Sequence, residues 1–129
     1  MRVNIKATNT TLTPAINEYL NKKMEHVEKF VDKRDESLMC DIEVGKTTSH
    51  HQNGEIFRAE INCSVKGKML RAVAEEADLY AAIDIVQADI IREIKTTKEK
   101  KMAFVRRGGA KLKNLLKGLI GRRDQTDIE

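Results

Sequence analysis

The chain has no tryptophan, two cysteines and 4% aromatic residues among 129. Two cysteines exclude a disulfide-dense secreted scaffold, which needs several bridges to make up for a small core. So few rings argue against a sheet that stacks bases on aromatic side chains. No apolar run approaches the ~20 residues of a membrane-spanning helix, and Met1-Arg2-Val3-Asn4-Ile5 is not the apolar stretch of a signal peptide. The expectation is a cytoplasmic protein with reduced thiols and no membrane partner. Catalytic signatures are missing as well. There is no GxSxG, Walker loop or HExxH, and no set of residues supplies a nucleophile, a base and an oxyanion donor together. His50-His51 fits no zinc-ligand spacing. Neither an enzyme, nor a metal site, nor a cofactor is expected.

What the chain does have is charge, unevenly placed. Charged residues make up 34% and the formal net charge is +4. Residues 1–91 carry 12 Lys/Arg against 15 Asp/Glu, a net of −3. Residues 92–123 carry 12 Lys/Arg against Glu93 and Glu99 alone, a net of +10, and the last six residues return −3. A block of that sign attracts a polyanion, because each neutralised phosphate releases condensed counterions. The plainer alternative is a solvated helix face followed by a basic tail.

Hydrophobic periodicity divides the chain into six elements. Val3, Ile5 and Ala7 alternate with polar residues as in a half-buried strand. Thr13-Pro14 marks a helix start, since Thr caps and Pro fits the first helical position. Ile16, Leu20, Met24, Val27 and Val31 then recur at three or four residues, predicting a helix of about five turns. Its outer face carries Lys22, Lys23, His26 and Lys29 among Glu18, Glu25 and Glu28, acids placed to pair with those lysines. Leu38–Val44, Phe57–Val65 and Met69–Val73 read as strands, with Thr47–Gly54 a loop and Lys66-Gly67-Lys68 a tight turn. A second helix starts near Asp78, its stripe running Leu79, Ile83, Val86, Ile90 and Ile94. Beyond the stripe come Lys98, Lys100 and Lys101, joining Arg92 and Lys95 in a cluster with few acids to pair with. Leu112–Ile120 has the spacing of a short basic amphipathic helix. Cys40 and Cys63 fall opposite each other if their strands form a hairpin centred on His51-Gln52. A disulfide is then conceivable, but two buried reduced thiols are the expectation.

The order β-α-β-β-β-α predicts an α+β fold, two helices packed on one face of a four-stranded, mainly antiparallel sheet whose other face is wet. Two segments are expected: a domain over 1–101 and a basic tail over 102–129.

Particular residues resemble the ribosome hibernation-promoting factors, a family that includes the ribosome-associated inhibitor A-like proteins. Leu12-Thr13-Pro14 opening a helix, with Tyr19 and Lys23, is similar to that family's start. Asp78-Leu79-Tyr80-Ala81-Ala82-Ile83-Asp84, running into a basic helix, is similar to its most distinctive motif. The chain departs from the family pattern at Ala7, Asp89, Glu93 and Thr96. The resemblance implies a fold like that of double-stranded-RNA-binding domains. It implies a short-form factor, monomeric off the ribosome, with the small ribosomal subunit and its 16S-type rRNA as partners and no DNA. Binding in the decoding region would exclude messenger and transfer RNA, inhibit translation and preserve inactive ribosomes under stress. By position, the resemblance assigns RNA contact to Lys22, Lys23, Lys29, Arg92, Lys95 and Lys98. Lys100 and Lys101 extend the same patch on charge alone. Asp78 is expected to cap its helix, and Tyr80 to pack or to face RNA, packing being the first expectation. Two other functions fit the residues: a general double-stranded-RNA-binding module, and an interaction protein whose tail helix meets a protein or a membrane.

Overall fold

In the computed structural model, which describes residues 1–47 and 54–109, the elements follow the order β1 (Arg2–Thr8), α1 (Pro14–Glu28), β2 (Met39–Lys46), β3 (Phe57–Val65), β4 (Lys68–Glu76) and α2 (Leu79–Phe104). Two compact units divide the chain, Met1–Lys95 and Thr96–Glu129, the boundary falling within α2. The second unit's described residues are the last turns of α2, with Lys98, Lys100 and Lys101 exposed, and a turn over Val105–Gly109 in which Gly108 takes a φ of 102°. The segments read as a loop around His50-His51 and as a helix over Leu112–Ile120 lie outside the described residues, apart from the loop's flanks.

The first unit is a single sheet with strand order β1-β2-β3-β4. β1 runs parallel to β2, and the other two pairings are antiparallel. Alternation decides which face is buried. Cys40, Ile42 and Val44 of β2, Ala59, Ile61 and Cys63 of β3, and Leu70, Ala72 and Ala74 of β4 all point inward. They share one core with Leu20, Met24 and Val27 of α1 and with Leu79, Ala82, Ile83, Val86, Ile90, Ile91 and Ile94 of α2. Both helices therefore cover the same face of the sheet. Each fully buried aliphatic side chain contributes about 1.5–3 kcal/mol. The other sheet face is polar: Arg58 and Arg71 both pair with Glu60 at 2.9 Å, and Asn4 donates to Asp41 at 2.9 Å.

Local chemistry sets the element ends. Thr13 is the N-cap of α1, its Oγ1 accepting from the Ile16 N–H at 3.2 Å, with Pro14 just inside. Asp78 caps α2 in the same way, accepting from the Ala81 N–H at 3.2 Å. At the β3–β4 turn both Lys66 (φ 52°) and Gly67 (φ 78°) are left-handed, the pattern of the hairpin turn that matches strand twist. The loop after α1 supports this turn. Asp35 Oδ2 accepts from the Lys66 N–H at 2.6 Å, and Ser37 Oγ accepts from the Gly67 N–H at 3.0 Å.

Three expectations change. α1 ends at Glu28, so Phe30 and Val31 pack against the core from beyond the helix. β4 runs on to Glu76, because the alanines at 72 and 74 continue an inward alternation that an apolar count underweights. The cysteines are joined rather than reduced: Cys40 and Cys63 form a disulfide. The hairpin register pairs them directly, with Cα atoms 4.1 Å apart and both side chains on the buried face. Direct cross-strand pairing on one buried face is what brings the two sulfurs together.

Candidate nucleic-acid interface on the two helices

α1 and α2 run side by side in the same direction. Tyr19 and Lys23 meet Asp84 near the start of α2, and Phe30, just past α1, meets Lys95 eleven residues further along it. The apolar stripe of each helix faces the sheet, so the polar stripes share the outer surface. Between them lies an open groove of about 490 Å³ lined by Tyr19, Lys22, Lys23, His26 and Gln87.

The sequence-predicted cations of the first unit fall into two groups. Lys22, Lys29 and Lys95 have no carboxylate within ion-pairing distance among the described residues. Lys22 lines the groove, Lys29 caps the end of α1, and the Lys95 ammonium stands 4.9 Å over the Phe30 ring. Lys23 and Arg92 are each held by the chain's own acid: Lys23 Nζ lies 2.9 Å from Asp84, and Arg92 lies 2.7 Å from Asp89 one turn back. The pairing along α1 is therefore not the one its spacing favours. Glu28 instead receives the N-terminal amino group at 3.4 Å, and Lys23 crosses to the other helix. Lys98, Lys100 and Lys101 belong to the second unit and are exposed there.

Tyr19, Lys23, Tyr80 and Asp84 form one connected cluster. The Tyr19 hydroxyl donates to Asp84 at 2.5 Å, the Tyr19 and Tyr80 rings meet edge to face with centroids 4.9 Å apart, and the Lys23 ammonium lies 5.1 Å from the Tyr19 ring centre. The Tyr19 hydrogen bond, aided by the Lys23 charge, lowers the Asp84 pKa although partial burial opposes it. The same contacts raise the pKa of the Tyr19 hydroxyl and of Lys23, chiefly through their hydrogen bonds to Asp84. Tyr80 packs edge to face on Tyr19 while keeping 37% of its surface exposed. Asp84 stands out in the sequence only as the last residue of the Asp78–Asp84 motif, with no role attached, and Gln87 gives no signal. The Tyr19–Asp84 contact spans 65 residues, and only helix packing brings it about.

What the surface presents is a set of hydrogen-bond donors. It offers ammonium donors, a histidine and an amide along a groove, with aromatic side chains supporting the lysines. Such a face suits the phosphodiester backbone, whose oxygens accept from Lys and Arg without regard to sequence. Among the described residues no group of His, Cys, Asp or Glu is placed to hold a metal ion, and no helix is long and apolar enough to cross a membrane.

An α+β domain with a lysine-bearing two-helix face over a four-stranded sheet is thus the class of protein defined here. Residues 3–102 match the family model described as Sigma 54 modulation protein / S30EA ribosomal protein, and the chain belongs to that family. It is 30% identical over 100 residues to the ribosome hibernation promoting factor of Klebsiella oxytoca, the match covering 78% of this chain and 96% of that one. It is also 30% identical over 104 residues to the ribosome hibernation promotion factor of Picosynechococcus sp., of which the match spans only 50%. The N-terminal domain of Thermus thermophilus Protein Y superposes with a TM-score of 0.63 at 28% identity, over 75% of this chain and 99% of that structure.

Proposed function

We propose that this chain is a ribosome hibernation factor of the cytoplasm. Its helix face docks on ribosomal RNA in the decoding region of the small subunit, and the bound domain excludes messenger and transfer RNA by occupying their space. Translation is inhibited without chemistry, and inactive ribosomes are preserved under stress. The observation that carries this reading is the shared outer face of α1 and α2, on which Lys22, Lys29 and Lys95 have no carboxylate partner among the described residues. The names of the Klebsiella and Picosynechococcus relatives support the hibernation role, and membership of the family supports the ribosome as partner.

The test is co-sedimentation with purified small subunits at several salt concentrations, with bare duplex RNA, messenger RNA or transfer RNA as competitor. The expected result is binding that weakens steeply with salt, is lost when messenger and transfer RNA are already bound, and resists an excess of duplex RNA. Equal competition by duplex RNA would instead make the chain a general RNA-binding module, acting through shape and 2′-hydroxyl contacts. Binding to subunits already loaded with messenger and transfer RNA would refute occlusion.

A further inference from the structure

Asp84 is out of place on a surface that binds RNA. Its carboxylate repels phosphate, yet it stands between the two helices, in contact with a lysine of the groove. Fold stability alone does not account for it. The Lys23 and Asp84 side chains are 30% and 50% exposed, and ion pairs that open to water contribute little to stability. What the contact does accomplish is geometric. A free lysine side chain loses much of its rotamer freedom when it is fixed. Lys23 is already fixed, by Asp84 at 2.9 Å and by the face of Tyr19 at 5.1 Å. Tyr19 in turn is fixed by its hydroxyl on the same carboxylate and by its edge-to-face contact with Tyr80. An ammonium has three N–H donors; Asp84 engages one and Tyr19 interacts with a second, leaving one for the groove that Lys23 lines with Lys22, His26 and Gln87.

We propose that Asp84 is a positioning residue for RNA binding: bridging α1 and α2, it holds Lys23 and Tyr19 so that the Lys23 ammonium meets a phosphate oxygen already oriented. The role rests on the RNA-binding function proposed above and deepens it, since it makes the donor's direction, rather than the local net charge, what Lys23 supplies.

The two accounts of Asp84 predict opposite signs. Asp84→Ala adds a unit of positive charge to the surface and puts a good helix former at an exposed helical position, so the fold should survive. If the carboxylate only weakens the local field, its removal tightens binding to small subunits and steepens the dependence of log affinity on log salt by about one. If it positions Lys23, affinity falls roughly tenfold despite the added charge, the magnitude of one charge-assisted hydrogen bond left unoriented, and the salt dependence becomes no steeper. In a Lys23→Met background the Asp84→Ala change should then have no further effect, because Asp84 acts through Lys23. Urea unfolding controls for the fold. Tyrosine fluorescence reports the loosened cluster directly, since the chain's two tyrosines, Tyr19 and Tyr80, both lie in it and there is no tryptophan. Unchanged or tighter binding by Asp84→Ala overturns the proposal, as does an equal loss in the Lys23→Met background. Those results leave RNA binding by the wild type standing. Failure of the wild-type chain to bind subunits in the same assay removes both readings.

Discussion

Replacing Lys22, Lys29 and Lys95 together by glutamine tests the interface where the structure is most specific about it. These cations of the first unit have no carboxylate partner among the described residues, so each is free to displace a counterion from a phosphate without first breaking an ion pair. Each phosphate contact contributes about 0.9 to the slope of log affinity against log salt on a duplex and about 0.7 on a single strand. Losing three contacts should flatten the slope by roughly 2 to 3. Between 50 and 200 mM salt, the wild type should therefore weaken roughly 20- to 40-fold more than the triple variant does. The fold should be little affected, because Lys22 and Lys29 are exposed, and loss of the Lys95 contact with Phe30 costs on the order of 0.5–1 kcal/mol. Arg92→Gln serves as the comparison. Arg92 is already engaged by Asp89 at 2.7 Å, so its removal should flatten the slope by less than one contact's worth. The assay is filter binding of labelled protein to small subunits across a salt series, with urea unfolding of each variant alongside. A triple variant whose slope equals that of the wild type would refute the idea that these lysines touch phosphate. An Arg92→Gln effect as large as the whole triple would mean that self-pairing does not decide which cations count.

Three further outcomes follow from the fold. At Gly45 an added Cβ would sit 2.2 Å from the Thr8 carbonyl oxygen of the neighbouring strand, so Gly45→Ala should cost about 1–3 kcal/mol, with faster amide exchange in β1 and little change in β3–β4; equal exchange in β1 would show that the edge strand absorbs the contact. The Cys40–Cys63 bond closes a sequence separation of 23, so reduction should lower stability by about 3 kcal/mol in the chain-entropy treatment, and superimposable urea curves with and without reductant would contradict that. Asp32, Asp35, Glu60 and Asp84 are all held below their ordinary pKa by hydrogen bonds and neighbouring cations, Asp32 down to about 2. A carboxylate with a depressed folded pKa contributes stability that is complete above its unfolded value and lost as pH falls through the folded one, so urea midpoints should hold steady down to about pH 5 and drop progressively from pH 4 toward 2; a midpoint that stays level to pH 2 would show these contacts to be absent in solution. On the alkaline side, the raised Lys23 and Tyr19 values contribute stability that is present below about pH 10 and lost above it.

The amino-acid sequence by itself determined the element order, the buried face of every strand and the caps of both helices, because these depend on residues close together in the chain. Alternation at Cys40, Ile42 and Val44 or at Ala59, Ile61 and Cys63 has one solution once one sheet face is buried. Thr13 and Asp78 cap helices through backbone N–H groups three residues away. The hairpin register was legible too, since pairing about His51-Gln52 sets Cys40 opposite Cys63. The basic residues were visible as candidates, but not the state of each. Tertiary structure alone decided that Lys23 pairs with Asp84 across the helix interface rather than with an acid on its own helix, that Lys95 lies over Phe30, and that the two thiols are joined, whereas the Arg92–Asp89 pair is a local contact one helical turn apart. The physical reason is that side chains choose partners by distance after packing. Two parallel helices on one sheet face bring residue 19 to residue 84 and residue 30 to residue 95, and no local pattern encodes which carboxylate arrives first.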